Sequence, residues 1–243
     1  MANWNDPNMA ASGFQGSASA MDQAVDAGLR SYMLSVYNYM GSGVLLTGII
    51  AMLAFNTGFT TSMVGTPLMW VVALAPLAFV LVLSFGINKL STTAAQMLFW
   101  AYAAVMGLSM STIFLAFTQT SIAQTFFATA AAFLGLSLYG YTTKKDLSGF
   151  GTFLIMGVIG IIVAMLLNAF VFQSGAFAMA ISVVGVLLFA GLTAYDTQKI
   201  KSMYFYVHGT DFVGKSVVMG ALTLYLDFVN MFTFLLNLLG SRE

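Results

Sequence analysis

Residues 222–236 read LTLYLDFVNMFTFLL, and this segment decides how the chain is built. One carboxylate, Asp227, lies about midway along an apolar run that is long enough to cross a bilayer. A charged side chain at the centre of a membrane costs roughly 2.5–3.5 kcal/mol on insertion scales. Such a residue normally faces the interior of a helix bundle and has a partner there. The segment therefore predicts a membrane-spanning helix with Asp227 turned away from lipid.

Polar and small residues accompany this carboxylate at helical spacing. Steps of three and four residues place side chains on one face of a helix. On the last apolar run this face holds Ser216, Gly220, Thr223, Asp227, Asn230 and Asn237, interrupted by Phe234. The preceding run has a similar stripe of Ser182, Gly185, Phe189, Thr193 and Asp196. Asp196 is therefore the candidate partner of Asp227.

The composition identifies a membrane protein and excludes several classes of function. The 243 residues are 60% hydrophobic and 7% charged, whereas soluble domains carry about 25% charged residues. A net charge of zero argues against a nucleic-acid partner. The chain has no cysteine, which excludes disulfides and thiolate chemistry, and its one histidine, His208, cannot form a multi-histidine metal site. We expect no cofactor and no enzymatic activity.

Seven runs approach the length of about 20 apolar residues that a spanning helix needs. We expect an all-α integral membrane protein, a bundle of seven transmembrane helices in residues 28–243. Residues 1–27 form a polar N-terminal tail, which we expect to be disordered to about residue 20, with a helix starting near Met21. The predicted spans are approximately 33–55, 67–88, 95–117, 121–141, 151–172, 176–198 and 215–239.

The basic residues set the expected topology. The first, third and fifth connections carry no charge, so the basic residues before the C-terminus share one side of the bundle. The positive-inside rule places that side in the cytoplasm. We therefore expect a cytoplasmic N-terminus and, after seven crossings, an external C-terminus. The residues concerned are Arg30, Lys89, Lys144, Lys145, Lys199, Lys201 and Lys215, with Arg242 as the exception, offset by Glu243.

Two carboxylates on consecutive helices indicate a proton-sensitive or cation-sensitive contact. At hydrogen-bonding distance one shared proton is the most stable state, and a cation can replace it. Hard divalent ions prefer oxygen ligands, which Asp196, Asp227 and Asn230 supply. The two acids meet only if the sixth helix continues beyond Gln198, which the apolar residues 203–207 allow. The alternative is that each aspartate makes only a structural hydrogen bond or pairs with a nearby lysine.

Two other classes of membrane protein do not fit the motifs. Intramembrane aspartyl proteases carry Gly-x-Gly-Asp at the second aspartate and a Pro-Ala-Leu motif downstream. Here Asp227 follows Leu-Tyr-Leu, and no proline occurs after Pro76. A retinal protein needs a lysine in the middle of the membrane, whereas Lys215 lies at the start of the last span.

Three stretches of the chain form recognisable motifs: residues 194–198 (AYDTQ), 224–230 (LYLDFVN) and 106–114 (MGLSMSTIF). In these motifs the chain resembles the Bax inhibitor (transmembrane Bax inhibitor motif) family, and in particular its bacterial members, and the resemblance extends over everything after about residue 28. It implies a seven-helix bundle with the last helix at the centre. It also implies a pH-sensitive calcium leak gated by a pair of aspartates, which by motif position are Asp196 and Asp227.

The resemblance also suggests supporting residues, a location and other functions. Tyr195 and Gln198 belong to the first motif, and Thr193, Thr223 and Asn230 are polar neighbours on the two stripes. A basic residue near the end of the second helix can contact the pair in family members, and Lys89 is the nearest candidate. The bacterial members imply a multi-pass protein of the inner (plasma) membrane.

Our leading hypothesis is a pH-sensitive cation leak channel with calcium as the permeant ion, which binds transiently at Asp196 and Asp227. Some bacterial relatives bind or restrain a membrane protease, so a non-conducting regulator of a protease or stress partner is an alternative. A cation–proton exchanger that uses the same carboxylates is another. Only the exchanger predicts proton counterflow coupled to cation movement.

Overall fold

The computed structural model describes residues 7–242, with side chains from residue 23 onward. In this part of the chain, every α-helix except α2 is long and apolar enough to cross a membrane, which gives seven spans and confirms the predicted all-α membrane architecture. A 3₁₀ turn, Ser111–Leu115, follows α4, and a π-helical turn, Asn168–Phe172, follows α6. The helices are α1 (Pro7–Asn56), α2 (Phe59–Met63), α3 (Pro67–Gly86), α4 (Thr92–Met110), α5 (Gln119–Thr142), α6 (Ser148–Leu167), α7 (Gly175–Val207) and α8 (Val213–Leu239).

The N-terminal part of the chain differs from the expectation in one respect. Helix α1 begins at Pro7, upstream of the start expected near Met21. The disorder expected for residues 1–20 falls partly on residues 1–6, which lie outside the described residues. The boundary of the polar tail at residue 27 stays a prediction.

Local sequence signals explain where several helices begin. Hydroxyl side chains accept hydrogen bonds from the third amide that follows them, as N-cap residues do. Ser91, Thr118 and Ser174 cap α4, α5 and α7 in this way, and Pro67 opens α3, where its missing N–H costs nothing. The short helix α2, which the sequence did not predict, follows Gly58, which has a φ of 77°.

Helix α7 is longer than the predicted sixth span. It continues past Gln198 to Val207, so the predicted end at residue 198 was wrong by nine residues. The extra turns persist because Ile200, Tyr204 and Val207 are buried against the rest of the bundle. A contact between Asp196 and Asp227 is expected only if the sixth span continues beyond Gln198, and α7 does so.

Helix α8 is the most buried of the seven spans. In its most apolar window 72% of the residues are buried, against 11–33% for the other spans. It packs against α1, α4, α5 and α7. Its placement at the centre of the bundle stays a prediction, but its burial explains why this span carries so many polar residues. The outward faces of other spans expose large apolar side chains such as Trp70, Phe85 and Phe153, which suits contact with lipid.

The basic connections meet at one end of the bundle. The ammonium of Lys215 donates to the carbonyl of Asn88 (3.4 Å), and that of Lys201 donates to the carbonyl of Tyr141 (2.8 Å). These bonds join the α3–α4 connection to the first turn of α8, and the last turn of α5 to the C-terminal part of α7. The clustering is what the positive-inside rule requires, and the choice of membrane face stays a prediction.

Candidate functional site: a buried carboxyl pair

The carboxyl groups of Asp196 and Asp227 lie within hydrogen-bonding reach of each other between α7 and α8. Asp196 is 8% exposed and Asp227 is 4% exposed. Because a carboxylate has no hydrogen to donate, a hydrogen bond between two carboxyl groups requires at least one proton on the pair. The structure thus brings together the two acidic residues that the sequence singled out.

The depth of the pair follows from the two helices that hold it. Asp196 lies eleven residues before the end of α7, and Asp227 lies fourteen residues after the start of α8. At 1.5 Å per residue these distances are about 17 and 21 Å. The two antiparallel helices therefore present their carboxyl groups at similar depth, well inside the spans.

The two carboxyl groups have different surroundings. Oδ2 of Asp227 is buried and receives no hydrogen bond from an N–H or a neutral O–H group among the described residues. Asp196, in contrast, lines a cavity of about 260 Å³ and experiences the charge of Lys199, one turn further along α7. Asp227 consequently depends on Asp196 for a polar contact more than Asp196 depends on Asp227.

The cavity beside Asp196, which we call the inner cavity, has a mostly apolar wall that also holds polar groups from α1, α7 and α8. The hydroxyl groups of Tyr32 and Ser216 are hydrogen-bonded to each other in its wall (2.6 Å). Its other polar residues are Asp196, Lys199 and Thr223. The inner cavity lies on the side of the pair that faces the basic connections, so it leads from that end of the bundle toward the carboxyl groups.

Three of the predicted supporting residues form side-chain hydrogen bonds within their own helices. Each donates a hydrogen bond to the backbone carbonyl four residues earlier in its own helix, at 2.8–3.0 Å. They do not hydrogen-bond to the carboxyl pair, although they lie one helical turn from it. These residues are Thr193, Thr223 and Asn230.

The other two residues from the first motif face away from the pair, toward α6. The ring of Tyr195 packs so closely on Gly151 that a Cβ there would overlap it. The amide of Gln198 accepts from the backbone N–H of Leu147 and donates to the carbonyl of Lys145, both at 2.8 Å. Tyr195 and Gln198 therefore fix α6 and the α5–α6 connection against α7.

Lys89 is not brought to the pair. It is exposed in the turn after α3 and does not line the inner cavity. Lys199, on α7, is the basic residue that lines this cavity together with Asp196. The sequence contained a signal for Lys199, because it lies three residues after Asp196, but nothing pointed to Tyr32, which reaches the cavity from a distant helix.

The pair offers few ligands for a metal ion. Among the described residues no group of three or more His, Cys, Asp or Glu side chains could hold a metal. Calcium takes six to eight oxygen ligands, and two carboxyl groups with hydroxyl neighbours supply fewer. The pair alone therefore does not complete the coordination shell of a calcium ion.

The fold and the site define a polytopic α-helical membrane protein with a buried carboxyl pair on its last two spans. The chain belongs to the Bax inhibitor family, since the family model described as "inhibitor of apoptosis-promoting Bax1" matches residues 29–243. It is 47% identical over 221 residues to the inner membrane protein YbhL of Escherichia coli, covering 89% of this chain and 94% of YbhL. It is 44% identical over 236 residues to an uncharacterised protein of Rickettsia prowazekii (93% and 95%) and 40% identical over 218 residues to one of Deinococcus radiodurans (88% and 92%).

Proposed function

We propose that the protein is a pH-sensitive cation leak channel with calcium as the permeant ion, and that Asp196 and Asp227 form its gate. The observation that carries the proposal is the close contact between two buried carboxyl groups on different spans. Its strength depends directly on how many protons the pair holds, so proton concentration controls the contact between α7 and α8.

The energies favour a closed state with one shared proton. A hydrogen bond to a charged group contributes about 1.5–3 kcal/mol. Two full charges about 4 Å apart repel by about 4 kcal/mol at an effective dielectric constant of about 20. Loss of the shared proton thus replaces attraction with repulsion. A second proton leaves only a neutral hydrogen bond of about 1 kcal/mol. We expect the leak to be smallest at intermediate pH and to rise on either side, more steeply toward high pH.

The location and orientation are part of the proposal. We place the chain in the inner (plasma) membrane of a bacterium, as the name of YbhL indicates for that relative. The end that carries Lys89, Lys201 and Lys215 faces the cytoplasm, because positive charge is retained on that side. In this orientation the inner cavity opens toward the cytoplasm.

The test is calcium flux from proteoliposomes across a pH series. The double variant Asp196→Ala/Asp227→Ala removes the contact, so its leak should be independent of pH and above the wild-type minimum. The matched control is Asp146→Asn, which alters an exposed carboxylate in the α5–α6 connection and should keep the wild-type profile. A double Ala variant with the wild-type profile would reject the gate.

The same vesicles separate the alternatives. A cation–proton exchanger would move protons against calcium in a fixed ratio, which a pH dye inside the vesicles detects, and a leak would not. A non-conducting regulator of a membrane protease or stress partner would give no flux above that of protein-free vesicles at any pH. Either result would replace the proposed leak.

A further inference from the structure

The interface between α7 and α8 contains a second feature in line with the carboxyl pair. Phe189 and Phe234 stack with their ring centroids 5.9 Å apart and their planes at 29°. Phe189 lies seven residues before Asp196, and Phe234 lies seven residues after Asp227. Because seven residues make two helical turns, the ring pair lies about 10 Å from the carboxyl pair, toward the opposite end of the bundle.

The ring pair fills its space closely. A Cβ at Gly185 would lie 2.6 Å from the ring of Phe234, so the ring occupies the notch that the missing side chain leaves in α7. Phe189 is 8% exposed and Phe234 is 7% exposed. Packed aromatic rings exclude water, and a constriction of this kind can close a pore by dewetting.

A second cavity reaches the ring pair from the far end of the bundle. This outer cavity has a volume of about 550 Å³, and Phe234 forms part of its wall. Ser182, Asn237 and Asn168 give it a polar lining. Its one basic residue, Arg242, has its guanidinium 5.8 Å from the centroid of the Phe117 ring.

The order of these features describes a route. From one end it runs through the inner cavity to Asp196 and Asp227, passes the level of Thr193, meets the stacked rings, and continues into the outer cavity. We propose that cations cross the protein along this α7–α8 interface and that Phe189 and Phe234 form a second, hydrophobic gate in series with the carboxyl pair. The inference rests on the proposed leak, and it adds the route and a barrier that protons do not control.

Simple packing is the competing explanation for two buried phenylalanines. Packing alone predicts that shortening Phe234 loosens the protein without opening a path between the two cavities. The route predicts a specific gain of access at the position behind the rings. Thr193 is such a position, since it is fully buried and lies between the ring pair and Asp196.

The absence of cysteine from the sequence allows a direct experiment. Single-cysteine variants Asn237→Cys, in the outer cavity, and Thr193→Cys, behind the rings, are exposed in detergent micelles to a charged methanethiosulfonate reagent. The extent of modification is followed by mass spectrometry. We expect Asn237→Cys to react readily and Thr193→Cys to react slowly. Adding Phe234→Ala should speed the reaction at position 193 at least tenfold and leave that at position 237 unchanged.

The control for general loosening is Phe133→Ala. Phe133 is also buried and packs on Phe228 of α8, but it lies on the α5 side of that helix and away from the route. It should not change the rate at position 193. If Phe234→Ala leaves that rate unchanged, or Phe133→Ala raises it equally, the second gate is rejected. Phe234→Leu, which leaves a smaller void, repeats the comparison if the Ala variant does not fold.

Flux measurements separate this inference from the proposed leak. Phe234→Ala should raise the calcium leak at least tenfold on the high-pH side, where the carboxyl gate is open, without moving the pH of the minimum. A faster reaction at position 193 with no flux in any variant would overturn the leak and leave a blocked aqueous crevice. A pH-dependent leak with no effect of Phe234→Ala on either readout would overturn the second gate and leave the leak standing.

Discussion

Truncating the two aspartates should have unequal effects on stability, because the structure gives their carboxyl groups unequal surroundings. Asp196→Ala leaves the 4%-exposed carboxyl of Asp227 without its neighbour on α7. Leaving a buried polar group unsatisfied costs about 1–3 kcal/mol, and more if the group is charged. Asp227→Ala leaves Asp196 beside the inner cavity and near Lys199, so the cost should be only about 1 kcal/mol, the contribution of an ordinary hydrogen bond.

The same reasoning predicts the stability of the double variant. With both carboxyl groups gone, nothing charged remains unpaired, so Asp196→Ala/Asp227→Ala should cost about 1–2 kcal/mol. It should therefore be more stable than Asp196→Ala alone. The coupling energy of the cycle, about 2 kcal/mol or more, lies at the upper end of the range for contacts within one network.

Unfolding by sodium dodecyl sulfate in mixed micelles, followed by circular dichroism, measures these free energies. The exposed aspartates Asp146 and Asp211 provide a control cycle. The changes in unfolding free energy caused by their two Ala substitutions should be additive to within about 0.5 kcal/mol. Equal costs for the two single substitutions, together with an additive double variant, would show that the two carboxyl groups do not depend on each other.

Three further predictions concern the surrounding structure. Tyr102→Phe should raise the unfolding free energy by up to about 1 kcal/mol, since the buried Tyr102 hydroxyl has no partner among the described residues. Tyr225→Phe loses a 2.6 Å hydrogen bond to a threonine hydroxyl, so it should lower the unfolding free energy by about 1 kcal/mol. The opposite order of stability would contradict this. Gly140→Ala should separate α5 from α7, because its Cβ would overlap the carbonyl of Ala194; a melting temperature equal to that of wild type would refute this. Hydrogen bonds from the start of α6 hold the pKa of Asp146 below its usual value. The stabilising effect of the Asp146 carboxylate is therefore complete above about pH 4 and is lost only as pH falls through the lowered pKa. An effect of Asp146→Asn on stability that changes between pH 5 and 9 would contradict this.

The sequence predicted the parts of the fold that depend on periodicity and hydropathy. Apolar runs located the seven spans, and steps of three and four residues placed Asp227 on a polar face of α8. The same steps put Phe234 on that stripe as an interruption, without indicating that it stacks on Phe189. The spacing of residues predicts which side chains share one face of a helix. It does not predict which residues of two antiparallel helices lie at the same height and so contact each other.

The residues that the sequence missed are those positioned by tertiary contacts. Tyr32 reaches the inner cavity because α1 packs beside α8, which no local pattern encodes. Lys89 lies in an exposed turn after α3, whereas Lys199 lies on the same helix as Asp196 and lines the inner cavity. The end of α7 was placed too early because Lys199 and Lys201 mark a boundary by composition, while the buried residues beyond them continue the helix.

The most direct test of the account is the pH profile of calcium leak through Asp227→Asn. An amide at position 227 donates a hydrogen bond to Asp196 at every pH, so the contact between α7 and α8 no longer needs a proton. The account predicts a leak that stays close to the wild-type minimum up to about pH 9, where wild type rises. Toward low pH both proteins should rise, because protonation of Asp196 leaves only a neutral hydrogen bond in either one. A variant that keeps the full wild-type pH response would show that the carboxyl pair does not control the leak.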